Sequence, residues 1–177
     1  MNKTICVNVD LCVGCGACVV ACMDQNDIYP EKGQPAFRRI YQFEDGEFPN
    51  AIIRRLSISC MHCTHSPCMI GCPTKAITRD NRTGAVIVNQ RLCIGCHTCA
   101  LACPLGVPRY DEDGKMWKCD LCIERVEAGM EPACVRVCPV GALKFDYVNS
   151  AQGKREFEFA GNILNSVSMY GTGAGIK

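Results

Sequence analysis

The segment LCVGCGACVVAC sets Cys12, Cys15, Cys18 and Cys22 in a C-x2-C-x2-C-x3-C run, and it constrains the fold more than any other feature of the chain. The run recurs. VNVDLCVGCGACVVAC at 7–22 returns as VNQRLCIGCHTCALAC at 88–103, with Cys93, Cys96, Cys99 and Cys103 in register. Two looser quartets follow the same plan. Cys60, Cys63, Cys68 and Cys72 form C-x2-C-x4-C-x3-C, and Cys119, Cys122, Cys134 and Cys138 form C-x2-C-x11-C-x3-C. Of 17 cysteines among 177 residues, only Cys6 stands outside this scheme; on the alternating ICVNV stretch it reads as a small buried apolar residue.

So many cysteines in a short secreted chain would suggest a disulfide framework. The odd count and the length oppose that, and MNKTICVNVD has no apolar core of a secretory leader. No run reaches the ~18–20 apolar residues of a membrane span, so no direct span is expected. A formal net charge of +1 with mixed signs leaves no basic stripe, which excludes nucleic acid as the main ligand. Without its cysteines the chain has little apolar material for a core, so another group is expected to fill the interior.

Zinc sites of four thiolates usually join two C-x2-C pairs across a loop of roughly 15–20 residues. A third cysteine two residues after the second, as at Cys18 and Cys99, has no role there. Three cysteines so spaced wrap one side of a 4Fe-4S cubane, and in the bacterial ferredoxin run the fourth serves the other cluster of a pair. Four quartets therefore indicate iron-sulfur clusters, with a zinc-stabilised binding module as a remote alternative. Gly14 and Gly95, between the first two cysteines of the tight runs, read as points of close backbone approach to a cluster. Pro73, Pro104 and Pro139 redirect the chain directly after a ligand, whereas Cys22 is followed by Met23, so the first helix is expected to continue through MDQN.

Together with FRRIYQFEDG, LSISCMHC, GVPRYDEDGKMWKCDLCIERVEAG and CPVGALKF, the four quartets resemble the iron-sulfur subunit of dimethyl sulfoxide reductase and its relatives among the molybdopterin oxidoreductases. The resemblance covers roughly residues 5–148. It implies an α+β fold of two nested ferredoxin-like domains, each with a pair of 4Fe-4S clusters. The outer domain would join 1–50 to 112–148, the inner would span 51–111, and 149–177 would form a C-terminal arm or tail. The resemblance further implies the ligand sets. Cluster one would take Cys12, Cys15, Cys18 and Cys138; cluster two Cys119, Cys122, Cys134 and Cys22; cluster three Cys60, Cys63, Cys68 and Cys103; cluster four Cys93, Cys96, Cys99 and Cys72. Some relatives carry Trp at the second cysteine of the third quartet and hold a 3Fe-4S cluster, but Cys96 is retained here.

The residues between the motifs fit that plan. AITRDNRTGAVIVN reads as two short strands about a turn, and 23–59 as strands and loops of an insertion. His62, His65 and His97 lie within the motifs, but a Rieske centre needs two His in place of Cys, and every quartet has four thiols. They are expected to act as hydrogen-bond partners. Lys75, Arg109, Lys118 and Arg136, near ligands, are candidates to offset the negative charge of the clusters.

The function these readings imply is a relay of single electrons, with no substrate chemistry on this chain. Its partner would be a large catalytic subunit carrying a molybdenum or tungsten pterin, joined in some relatives by a membrane-anchor subunit. The alternative is a polyferredoxin-type carrier of a hydrogenase or formate-hydrogen system. Relatives can be exported folded with their partner, so the sequence leaves the compartment open between the cytoplasm and the periplasmic side.

Overall fold

A computed structural model describes residues 3–147. The arm or tail expected over 149–177 lies outside the described residues. The protein is a small mixed α/β structure of four two-stranded antiparallel sheets and five short α-helices among the described residues. β1 (Lys3–Val7) pairs with β8 (Leu143–Tyr147), which joins the two ends of the described residues with Ile5 opposite Phe145. β2 (Arg39–Asp45) and β3 (Ile52–Ile58) form a hairpin within the expected insertion. β4 (Ile77–Arg79) and β5 (Val86–Val88) form the expected hairpin after Cys72, and β6 (Arg109–Tyr110) pairs with β7 (Met116–Trp117).

The helices follow from the cysteine motifs. α1 (Ala17–Gln25) and α3 (Thr98–Ala102) each begin after a left-handed residue, Gly16 and His97, directly behind the second cysteine of a tight run. α1 runs on past Cys22 as the absence of a proline there predicts. α3 stops before Cys103, which is extended because Pro104 disfavours helix in the preceding residue. α2 (Pro67–Ile70) opens on a proline at its first position, where a missing N–H costs nothing. α4 (Ile123–Glu127) and α5 (Ala133–Arg136) complete the set, α5 following Pro132. α1 packs on α5 and α2 on α3.

The interior is divided among three small apolar clusters, and each contains cysteines. Cys18 and Cys134 lie among Ile5, Ala85, Leu121, Val135 and Leu143. Cys22, Cys60 and Cys119 lie with Ile28, Phe37 and Val107, and Cys99 lies with Ile77, Val86 and Met116. The sparse aliphatic content thus produces a core threaded with thiols. Cys6 is buried on β1, as its alternating context predicts. No helix among the described residues is long and apolar enough to cross a membrane.

Candidate iron-sulfur sites

Three cavities each collect cysteines from two distant parts of the sequence. Cys12, Cys15 and Cys18, from the loop before α1 and its first turn, line about 310 Å3 of open space with Cys138, which follows α5. Cys60, Cys63 and Cys68 line about 430 Å3 with Cys103, from the end of α3. Cys93, Cys96 and Cys99 line about 330 Å3 with Cys72, from the end of α2. The packing of α1 on α5 and of α2 on α3 produces these exchanges.

Cys22, Cys119, Cys122 and Cys134 are all buried. Burial pushes the Cys22 thiol up to about 12, with the charges of Cys134 and Cys122 adding to the effect. Burial raises Cys119 strongly, and Cys60 and Cys22 raise it further. Cys22 therefore sits within electrostatic reach of the other three, and Cys119 is also within reach of the neighbouring Cys60.

The donor chemistry fits a metal-sulfur cluster. A buried thiol at neutral pH is held protonated by desolvation unless a metal takes the proton's place, and burial raises Cys18, Cys63, Cys99 and Cys122 as well as pushing Cys68 to about 11. Thiolates on one zinc, at Zn–S of about 2.3 Å, would stand within about 4 Å of each other. Among the described residues no three His, Cys, Asp or Glu side chains gather closely enough to hold a single ion. Gly14 and Gly95 line the cavities of Cys12 and Cys93 with φ of +70° and +68°, a backbone region that L side chains avoid.

Hydrogen-bond donors surround the sulfurs. The backbone N–H groups of His62, Met116 and Leu121 donate to Cys60, Cys93 and Cys119 Sγ at 3.4–3.5 Å. The Tyr110 hydroxyl lies 3.1 Å from Cys99 Sγ, and its ring stacks on His97 at 3.8 Å between centroids. The Ser57 hydroxyl lies 3.3 Å from Cys18 Sγ, and Asn26 donates to Cys22 Sγ at 3.8 Å. For the thinly buried Cys72, burial pushes the thiol up, but the Thr74 hydroxyl and backbone N–H groups outweigh it and the net shift is downward. Cys96 is lowered by the hydroxyl and backbone of Thr98.

The candidates outside the quartets fall unequally. His62 is buried, and burial followed by the charges of Lys118 and Arg79 keeps it neutral. Its Nδ1 accepts from the Val86 N–H at 2.9 Å, so Nε2 carries the proton. His65 and His97 are exposed. Lys118 is buried beside the Cys60 cavity, its ammonium donating to the carbonyls of Val86 and Cys119. Lys75 and Arg136 are exposed, and Arg109 spends its guanidinium on the carbonyls of Gly106 and Pro108. Sequence reasoning misses Arg38, Ser57 and Tyr110. Their tie to the cysteines depends on strand pairing and loop packing, and no spacing rule reveals it.

Comparison with known proteins agrees with this chemistry. Residues 53–148 match a 4Fe-4S dicluster domain family, and residues 11–77 match a second family of the same description. One chain of the anaerobic dimethyl sulfoxide reductase of Escherichia coli (strain K12) is 40% identical over 152 residues, covering 81% of this protein and 72% of that one. One subunit of the sulfite dehydrogenase of Allochromatium vinosum is 38% identical over 162 residues, covering 81% and 68%. The iron-sulfur subunit of the nitrate-inducible formate dehydrogenase of Escherichia coli (strain K12) is 37% identical over 155 residues, covering 78% and 52%.

Proposed function

Since the protein belongs to the family of iron-sulfur subunits of dimethyl sulfoxide reductase and related oxidoreductases, we propose that it relays single electrons through four 4Fe-4S clusters to or from a catalytic subunit that carries a molybdenum or tungsten pterin. Like its relatives, it is an electron-transfer subunit and not itself the seat of substrate chemistry. The observation that carries the reading is the convergence of four thiols from two distant motifs on each of three cavities.

Cys12, Cys15, Cys18 and Cys138 would hold the first cluster, and Cys119, Cys122, Cys134 and Cys22 the second. Cys60, Cys63, Cys68 and Cys103 would hold the third, and Cys93, Cys96, Cys99 and Cys72 the fourth. A thiolate-bound 4Fe-4S cluster supplies reversible one-electron chemistry, with a potential set by burial, hydrogen bonds to sulfur and nearby charge. The nested arrangement, 1–50 with 112–148 around 51–111, is supported by the pairing of β1 with β8 and by the packing of α1 on α5 and of α2 on α3.

The protein's own residues order the sites. α1 carries Cys18 and Cys22 one helical turn apart and so ties the first site to the second. Cys119 and Cys60 lie within electrostatic reach between the second and third, and α2 and α3 link the third to the fourth. At the two ends Cys15 and Cys96 are exposed, while Cys22 and Cys119 in the middle are buried. The middle residues thereby exclude water, and the ends remain open for electron entry and exit. Backbone amides and the hydroxyls of Ser57 and Tyr110 direct hydrogen bonds at sulfur. The large apolar side chains of Phe48, Ile70 and Leu101 are 95%, 82% and 90% exposed, which suits a protein that is covered by a partner.

Metal analysis of the complex tests the reading. Protein recovered anaerobically with its attached partners should contain roughly sixteen Fe per copy and about one Mo or W. The same iron without Mo or W points to a carrier for a hydrogenase or formate-hydrogen system. Stoichiometric zinc with little iron refutes the cluster assignment.

A further inference from the structure

Arg38 is the least explained charge in the structure. It is 1% exposed, deeper than any other cation described. Among the described residues the ion pairs both belong to Arg82, so no carboxylate pairs directly with Arg38. Its Nη1 donates to Ser57 Oγ at 2.8 Å and its Nη2 to Ser59 Oγ at 2.6 Å, while its Nε has no hydrogen-bond partner. A buried charge without a counter-ion is strongly unfavourable unless something negative stands close by. The group its hydrogen bonds lead to that can become negative is Cys18, on the far side of Ser57.

The hydrogen-bond directions are fixed by chemistry. A guanidinium has no acceptor, so Ser57 Oγ must accept from Arg38. Cys18 as a cluster thiolate has no proton to give, so the Ser57 hydroxyl donates to its Sγ, 3.3 Å away. The result is a charge-polarised chain from guanidinium through hydroxyl to sulfur, all of it buried. The same positive charge acts to lower the Cys18, Cys22 and Cys119 thiols against the raising effect of burial.

We propose that Arg38 is a built-in countercharge that raises the reduction potential of the site holding Cys18, acting through Ser57. The inference rests on the four-cluster reading above. Each reduction adds one electron, supplied by an external one-electron reductant, and takes a thiolate-ligated 4Fe-4S site from about −2 to about −3 with no bond made or broken. A fixed cation beside the site stabilises the more negative form, so the potential rises. Arg38 is a positioning and tuning residue, since it touches sulfur only by way of Ser57.

The test is a potentiometric titration of the intact, anaerobically purified complex, followed by electron paramagnetic resonance, for the parent protein and Arg38→Met, Arg38→Lys and Ser57→Ala. In Arg38→Met one midpoint, the same one that Ser57→Ala lowers, should move to lower potential by more than any other. Arg38→Lys, which keeps the charge but loses the two-pronged hydrogen bonding, should stay closer to the parent than Arg38→Met. Ser57→Ala should lower one midpoint. Equal behaviour of the Lys and Met variants would assign Arg38 a merely structural role and overturn the proposal. Four unmoved midpoints in Arg38→Met at full iron content would do the same. If Arg38→Met fails to assemble, Arg38→Gln, which keeps a donor to Ser57 without the charge, decides: a lowered midpoint at the site that Ser57→Ala affects supports the proposal, and an unmoved one overturns it. Absence of iron-sulfur signals from the parent itself would instead defeat the four-cluster reading.

Discussion

Replacing Gly95 by alanine should damage its site far more than the same change at Gly14, although the two residues occupy equivalent places in the repeated motif. Both have φ near +70°, and a side chain in that left-handed region costs about 1–2 kcal/mol. What surrounds them differs. A Cβ on Gly95 would lie 2.6 Å from the Gly114 carbonyl oxygen, inside the β6–β7 turn. That turn is tethered: Gly114 N–H donates to Asp111 O at 3.0 Å, and Lys115 N–H to Asp111 Oδ1 at 2.8 Å. Relief requires the backbone to shift, and forced overpacking of this kind costs about 1–3 kcal/mol more.

A Cβ on Gly14 would meet the Arg55 side chain, an obstacle that can swing away. Arg55 gives up only an exposed hydrogen bond to Gln42, worth about 0.5–1.5 kcal/mol. The assay is the rate of iron release to a chelator from the anaerobic complex, together with iron per copy. Gly14→Ala should keep full iron and release one site's share about 5- to 30-fold faster, the factor that corresponds to 1–2 kcal/mol. Gly95→Ala should purify lacking one site's iron or lose it much faster still. Adding Arg55→Ala should ease Gly14→Ala and leave Gly95→Ala unchanged. Equal behaviour of the two glycine variants, with no effect of Arg55→Ala, would refute the argument from local crowding.

Two further outcomes are expected. Tyr110→Phe removes a donor to Cys99 Sγ whose proton is secure, because burial, reinforced by the hydrogen bond and charge of Cys99, holds the phenol well above its ordinary pKa. If half of a hydrogen bond to a charged group, about 1.5–3 kcal/mol, depends on redox state, one midpoint should fall by on the order of 30–60 mV, and an unmoved midpoint refutes the role. Asp80 caps the β4–β5 hairpin by accepting from the N–H and hydroxyl of Thr83 and the N–H of Arg82, and these bonds, the Thr83 N–H first, hold its carboxyl below the usual range. Because the folded pKa is depressed, the stabilisation is complete above the unfolded value of about 3.9 and disappears as pH falls through the folded one. Amide exchange at Thr83 and Gly84 should therefore be faster in Asp80→Ala by a ratio that stays flat from about pH 5 to 8; a ratio that titrates across this window would count against the cap.

Local backbone requirements are legible in the order of residues alone. The proline after Cys103 and the methionine after Cys22 set where α3 ends and how far α1 continues, since each acts on its immediate neighbours. The β4–β5 hairpin is equally legible from Asp80 to Gly84, whose turn chemistry is contained within a few residues. The tight cysteine runs by themselves indicate cluster chemistry over zinc, since thiol spacing is a property of the covalent chain. The charge offset is not legible in the same way. Of the four cations near ligands in sequence, Lys118 is buried and the others are exposed or half-buried, whereas Arg38, 20 residues after Cys18, is the one buried beside its sulfur through Ser57.

Sequence by itself determined that this protein gathers thiols in quartets, where its helices begin and end, and that no substrate chemistry of its own should be sought. Tertiary structure brings Cys138 to the cavity that Cys12 lines and Cys72 to the cavity that Cys93 lines, and buries a guanidinium one hydroxyl away from Cys18. The physical reason is one of range. Spacing and capping act within a helical turn, but which distant segments meet depends on strand pairing and helix packing that bury the most apolar surface over all the residues at once.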